Sequence, residues 1–136
     1  MLEPTVTTLR LFLHVLAASI WVGGQIVLAG LVPSLRRHAP NSTKVAARAF
    51  NKVAWPAFVV LVVTGIWNLL AVEVGNTTWE YQITVMLHIL LTAIAGMSAA
   101  VHAVGRSTLA LAVGGALGLL SSLGAMFVGL ILKSGT

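Results

Sequence analysis

Four long apolar segments make up most of this chain of 136 residues, and they determine its fold class. They cover about residues 9–32, 53–74, 81–104 and 108–132. Each is long enough to cross a bilayer, which takes roughly 20 residues of α-helix. Because the apolar runs are continuous rather than alternating, they predict helices and exclude transmembrane strands. We therefore expect an all-α, four-helix transmembrane bundle that forms a single domain over residues 1–136.

The composition supports a membrane protein and excludes several other classes. Hydrophobic residues make up 58% of the chain and charged residues only 8%, whereas a soluble domain carries about 25% charged residues. The absence of cysteine excludes disulfides, thiolate metal sites and iron–sulfur clusters. We expect a multi-pass protein of a cell membrane, by preference the bacterial cytoplasmic membrane. Its partners would be the lipid bilayer and either further copies of the chain or a larger membrane complex.

The basic residues indicate how the helices are oriented. Six of them lie on one side of the predicted membrane and only Arg10 and Lys133 on the other. The six are Arg36, Arg37, Lys44, Arg48, Lys52 and Arg106. The positive-inside rule then places both termini outside, and it explains the net charge of +5 without a nucleic-acid partner.

The basic segment between the first and second spans also indicates where helices begin and end. Pro33 is expected to end the first span, and the residues from about Ser42 to the second span read as a short basic amphipathic helix on the cytoplasmic surface. The second span then begins near Trp55 and Pro56, where proline is tolerated in a first turn.

The first span carries a line of polar side chains. At about 100° per residue, His14, Trp21 and Gln25 fall on one face of the helix. Polar groups inside a membrane are costly, so such a line predicts either a functional site or hydrogen bonds between helices. With the orientation above, His14 lies one to two turns below the outer surface.

The other three spans place polar or thioether side chains at a similar depth. These are Asn68 with Thr64 one turn deeper, His88, and Met126. We therefore expect one residue from each span to converge near the outer leaflet. His102 lies about 21 Å further along the third helix than His88, near the cytoplasmic side.

Imidazole and thioether groups without thiolate or carboxylate suit Cu(I), or a haem iron with histidine axial ligands. The alternative is that the histidines are neutral and hydrogen-bond to polar side chains or backbone of neighbouring helices. The sequence contains no nucleophile–base pair, P-loop or dinucleotide fingerprint, so it does not indicate an enzyme.

Small residues recur every three or four positions in the fourth span. They are Gly114, Gly118, Ser122, Ala125 and Gly129. This spacing predicts close approach of a neighbouring helix, by preference within the same chain.

Three stretches resemble the copper resistance protein D (CopD) family. LHVLAASIWVGGQ at residues 13–25 resembles the first span of that domain, FNKVAWP at 50–56 followed by TGIWNL at 64–69 resembles its second stretch, and AAVH at 99–102 is similar to the end of its third span. The resemblance implies a link to copper uptake. The family's third span often carries a lysine that aligns near Met86, and this chain has none there, which implies either a retuned or a lost function.

Two functions follow as hypotheses. In the first, copper is bound by His14 and His88 with Met126 and passed toward His102, while Trp21, Gln25, Thr64 and Asn68 support the site. In the second, His14 and His88 hold haem b in a cytochrome or an accessory subunit of a redox complex, with His102 at a second level. A more distant resemblance to the haem-binding HemJ-type protoporphyrinogen oxidases leaves copper and haem both open. A third possibility is a packing subunit without a ligand.

Overall fold

A computed structural model of the chain describes residues 3–135, and these residues are almost entirely helical. The elements in order are α1 (Val6–His38), α2 (Ser42–Val72), a short 3-10 helix (Val74–Asn76), α3 (Trp79–Val104) and α4 (Thr108–Ser134). All four α-helices are long and apolar enough to cross a membrane. The predicted all-α class with four candidate spans is confirmed.

The helices pair into two compact units, each a helical hairpin. In hairpin one, α1 packs against α2, and in hairpin two, α3 packs against α4. Antiparallel pairing follows from the short connections, which leave only residues 39–41 between α1 and α2 and residues 105–107 between α3 and α4.

The prediction that Pro33 ends the first helix is wrong, because α1 continues through it to His38. A proline inside a helix removes one backbone hydrogen bond and crowds the carbonyl four residues earlier, and such prolines are tolerated in membrane-spanning helices. Arg36, Arg37 and His38 lie in the last turn of α1, where positive charge interacts favourably with the helix dipole. The N–H of Ala39 then donates to the carbonyl of Leu35 at 2.8 Å and closes the helix.

The predicted amphipathic surface helix is also helical, but it is not a separate element. Residues 42–52 form the first turns of α2, which runs without a break for 31 residues. Pro56 therefore lies well inside α2. The sequence pattern instead predicts it in the first turn of the second span.

Aromatic rings fill the interface of hairpin one. Trp21 is only 3% exposed, and its ring centroid lies 4.5 Å from that of Phe58 and 5.6 Å from that of Trp55. One turn further along α1, Gly24 leaves room for the ring of Phe50, with which a Cβ at this position would collide. The polar face predicted for α1 is therefore the face that packs on α2.

Small residues form the interface of hairpin two, as predicted for the fourth span. Gly114, Gly118, Ser122 and Ala125 are buried on α4. A Cβ at Gly114 would lie 3.0 Å from the carbonyl oxygen of Ser98, so the two backbones approach closely here. Residues 105–107 connect α3 to α4, and the Ser107 side chain caps α4 by accepting from the N–H of Ala110 at 3.1 Å.

Large apolar side chains remain exposed along all four helices, among them Val27, Leu70, Leu90 and Phe127. Such continuous apolar surface is unusual for a protein in water and is what a lipid bilayer solvates. The chain is a multi-pass membrane protein.

Candidate metal-binding histidines

His14 is held in hairpin one by Thr64 of α2. The His14 Nδ1 and Thr64 Oγ1 atoms are 2.9 Å apart. The threonine hydroxyl donates to its own helix, with the carbonyl oxygens of Val60 and Leu61 at 2.7 and 3.1 Å. Because a hydroxyl has a single hydrogen, Thr64 must accept from the N–H at Nδ1 of His14. The lone pair of the neutral imidazole is therefore on Nε2.

The same tautomer is fixed at His88 by a backbone group of α4. Its Nδ1 lies 2.8 Å from the carbonyl oxygen of Ala125, which can only accept. The ring also rests on Gly129, where an added Cβ would lie 3.2 Å from Cε1 of the imidazole. His88 is half-buried in this position.

His102 repeats the arrangement of His88 further along the hairpin. Its Nδ1 lies 2.6 Å from the carbonyl oxygen of Leu111, and a Cβ at Gly115 would lie 3.0 Å from that nitrogen. Unlike His88, the His102 side chain is exposed. It is thus anchored to the backbone of α4.

Glycine makes both α4 contacts possible. In an α-helix, the N–H of residue i bonds to the carbonyl four residues earlier, so Ala125 pairs with Gly129 and Leu111 with Gly115. An added Cβ at either glycine would crowd the imidazole, which would have to shift by a few tenths of an ångström from its hydrogen-bonded position. Gly115 had not been identified from the sequence as part of a site, and Gly129 only as a packing residue. Gly115 and Gly129 are fourteen residues apart, and so are His88 and His102. This equal spacing could have linked the glycines to the histidines.

A fixed Nδ1–H is the arrangement found around histidines that bind metals. Such histidines nearly always donate their second ring N–H to a carboxylate, carbonyl or water, which orients the ring and makes the ligating nitrogen more basic. The partners of His14, His88 and His102 are all neutral oxygens. In each ring, Nε2 is then the nitrogen through which a soft metal ion or a haem iron would be coordinated.

The remaining predicted site residues have different roles. Trp21 is a packing residue, and Gln25 lies beside it, with its Nε2 donating to the Trp21 carbonyl at 3.2 Å. Met126 follows the acceptor residue Ala125, and its side chain is 37% exposed. Asn68 is one turn from Thr64, and its Oδ1 is buried without a hydrogen-bond partner among residues 3–135.

Among the residues that the structure describes, no three His, Cys, Asp or Glu side chains come together to hold a metal ion. His88 and His102 are separated by four turns of α3, about 21 Å, and so belong to different positions. His14 belongs to hairpin one and His88 to hairpin two, and their convergence on one level stays a prediction.

Comparison of the chain with protein-family models, with curated proteins and with solved structures gives no match. The resemblance to the CopD family therefore stays a prediction that depends on the motifs at residues 13–25, 50–69 and 99–102.

Proposed function

We propose that this protein binds copper within the membrane through Nε2 of His14 and His88, and that it takes part in copper handling or uptake without itself catalysing a reaction. The observation that carries the proposal is the shared tautomer. Both rings donate Nδ1–H to a neutral oxygen of the neighbouring helix, which supports coordination through Nε2.

The surroundings of these histidines favour Cu(I) among the common metals. Cu(I) accepts imidazole and thioether ligands, whereas Mg²⁺ and Ca²⁺ need several oxygen ligands. The only carboxylates of the chain are Glu3, Glu73 and Glu80, and none lies in the middle of a helix. Met126, next to the acceptor of His88, would add a thioether, and His102 would receive copper at a second position.

Copper stoichiometry of the purified protein tests this proposal. The wild type is loaded with Cu(I) in detergent under reducing conditions, desalted and analysed for metal. We expect His14→Ala and His88→Ala each to lower the bound copper and the double variant to abolish it. His38→Ala is the matched control, because His38 is exposed at the end of α1 and bonds to the Ser34 carbonyl of its own helix. Unchanged stoichiometry in the double variant would contradict the proposal.

Haem b is the second candidate, and one observation favours it. His88 and His102 make the same contact with α4 at two levels of α3, which fits a haem held by His14 and His88 with His102 at a second level. A red preparation with a sharp Soret band that His88→Ala removes would support haem. A colourless protein after expression with ample haem would exclude this candidate.

A further inference from the structure

Arg10 is a buried cation without a counter-ion in the described chain. Its side chain is only 8% exposed although it lies on a membrane-spanning helix. Its Nε is fully buried and has no hydrogen-bond partner among residues 3–135. Charges buried in this way are strongly unfavourable unless an opposite charge or several acceptors compensate them. Among residues 3–135 the guanidinium of Arg10 therefore has no anionic partner.

A second unsatisfied group lies at the same level of hairpin one. The hydrogen bond between His14 and Thr64 fixes which residues of α1 and α2 face each other. One turn from His14 toward the start of α1 is Arg10, and one turn from Thr64 toward the end of α2 is Asn68. Residues four apart share a helix face, so Arg10 and Asn68 belong to the same end of this interface. The Oδ1 of Asn68 is an acceptor that is also buried without a partner.

The electrostatics of this end favour an anion. Arg10 lies within about 6 Å of the start of α1 at Val6, where the helix dipole is positive. The first turn of α1 contains no acidic residue. Glu3, the only carboxylate in the described part of hairpin one, is exposed.

We propose that Arg10 and Asn68 bind the headgroup of an anionic phospholipid that carries its own hydrogen-bond donor, as phosphatidylglycerol does. A phosphate oxygen would accept from Nε–H of Arg10, whose planar guanidinium suits oxyanions, and a headgroup hydroxyl would donate to Oδ1 of Asn68. The position near the end of a membrane-spanning helix is the level at which lipid phosphates lie. A headgroup with both an acceptor and a donor would serve the two buried atoms together. The site lies one turn from His14 and Thr64 and uses none of the proposed copper ligands.

Lipid binding measured by native mass spectrometry tests this site. The protein in detergent is titrated with phosphatidylglycerol, with phosphatidylcholine, whose headgroup has no N–H or O–H donor, and with inorganic phosphate. We expect phosphatidylglycerol to bind most tightly, and Arg10→Gln to weaken it by about tenfold or more, the effect of one charge-assisted hydrogen bond. Arg106→Gln removes the same charge from the exposed connector and should change the affinity little.

A second variant keeps the test decisive if Arg10→Gln does not fold. Asn68→Asp supplies a carboxylate at the same end of the interface as Arg10, so it should repel the lipid phosphate, lowering phosphatidylglycerol affinity by about tenfold or more while leaving the protein folded. Wild-type affinity in either folded variant would overturn the proposal. Equal binding of both lipids would overturn the role of Asn68, and binding of inorganic phosphate alone would overturn a lipid as the ligand.

Discussion

His88 and His102 make the same two contacts with α4, although fourteen residues separate them on α3. Each donates Nδ1–H to a backbone carbonyl, and each ring rests on the glycine that follows that carbonyl by one turn. The two contacts differ in exposure, since His88 is half-buried and His102 exposed. Hairpin two thus contains the same contact between a histidine and α4 at two depths.

The glycine at the first of these contacts should be needed for ligand binding. In Gly129→Ala the new Cβ would lie 3.2 Å from the His88 ring, which must then move away from the Ala125 carbonyl. We expect Cu(I) affinity to fall by about tenfold, at the lower end of what loss of a ligand's supporting hydrogen bond costs. Competition with a Cu(I) chelator measures this. Gly30→Ala is the control, because no atom of residues 3–135 lies within 4 Å of its added Cβ; equal affinities in both variants would disprove the role of Gly129.

Thr64 should matter as a hydrogen-bond acceptor rather than as a packing group. Thr64→Val keeps the shape but removes the acceptor of His14 Nδ1–H, leaving a donor unsatisfied at a cost of about 1–3 kcal/mol. We expect weaker Cu(I) binding and a lower thermal midpoint. Thr84→Val removes a hydroxyl that bonds only to the Glu80 carbonyl of its own helix, and it should leave both quantities nearly unchanged. If the two variants behave alike, His14 does not depend on Thr64.

The adjacent glycines of α1 should respond in opposite ways to the same substitution. Gly24→Ala places a Cβ against the Phe50 ring, so it should destabilise the protein by about 1–3 kcal/mol, as overpacking does. Gly23→Ala meets open space and should stabilise the helix by up to about 1 kcal/mol. Thermal unfolding in detergent compares them. A loss of stability in Gly23→Ala as large as that in Gly24→Ala would contradict the described packing of Phe50 on α1.

A second glycine pair tests the interface of hairpin two. A Cβ at Gly114 would lie 3.0 Å from two backbone atoms, the His102 nitrogen and the Ser98 oxygen, whereas at Gly118 the nearest atoms are at 3.6 Å. Backbone cannot move aside as a side chain can, so Gly114→Ala should separate α3 from α4 and destabilise the protein by about 1–3 kcal/mol. Gly118→Ala should be neutral or stabilising. The reverse order in unfolding experiments would mean that the helices pack in another register.

The helical fold could be predicted from the sequence because its signals are local. The four apolar runs are each read from neighbouring residues, and the structure confirms them as long apolar helices. The end of α1 could not be predicted, because a single proline lowers the helix propensity of a segment but does not by itself end the helix. At Pro33 the helix loses one hydrogen bond and continues, since the turn that follows it satisfies its own backbone.

Only part of the candidate site could be predicted from the sequence. His14, His88 and His102 stand out in an apolar chain, and Thr64 was identified as a neighbour of the site. The acceptors on α4 could not be identified, because every residue has a carbonyl and only the helix pairing decides which one an imidazole reaches. The contact thus depends on the register that Gly115 and Gly129 permit.

The central claim is that the histidines keep Nδ1 protonated and bind copper through Nε2. Nitrogen NMR of protein labelled with ¹⁵N at the imidazoles measures both nitrogens directly, and Cu(I) is suitable because its filled d shell leaves the signals visible. We predict Nδ1–H tautomers for His14 and His88 before loading, and a shift of their Nε2 signals with Nδ1 still protonated after it. Unshifted Nε2 signals in the copper-loaded protein, or coordination through Nδ1, would contradict the account.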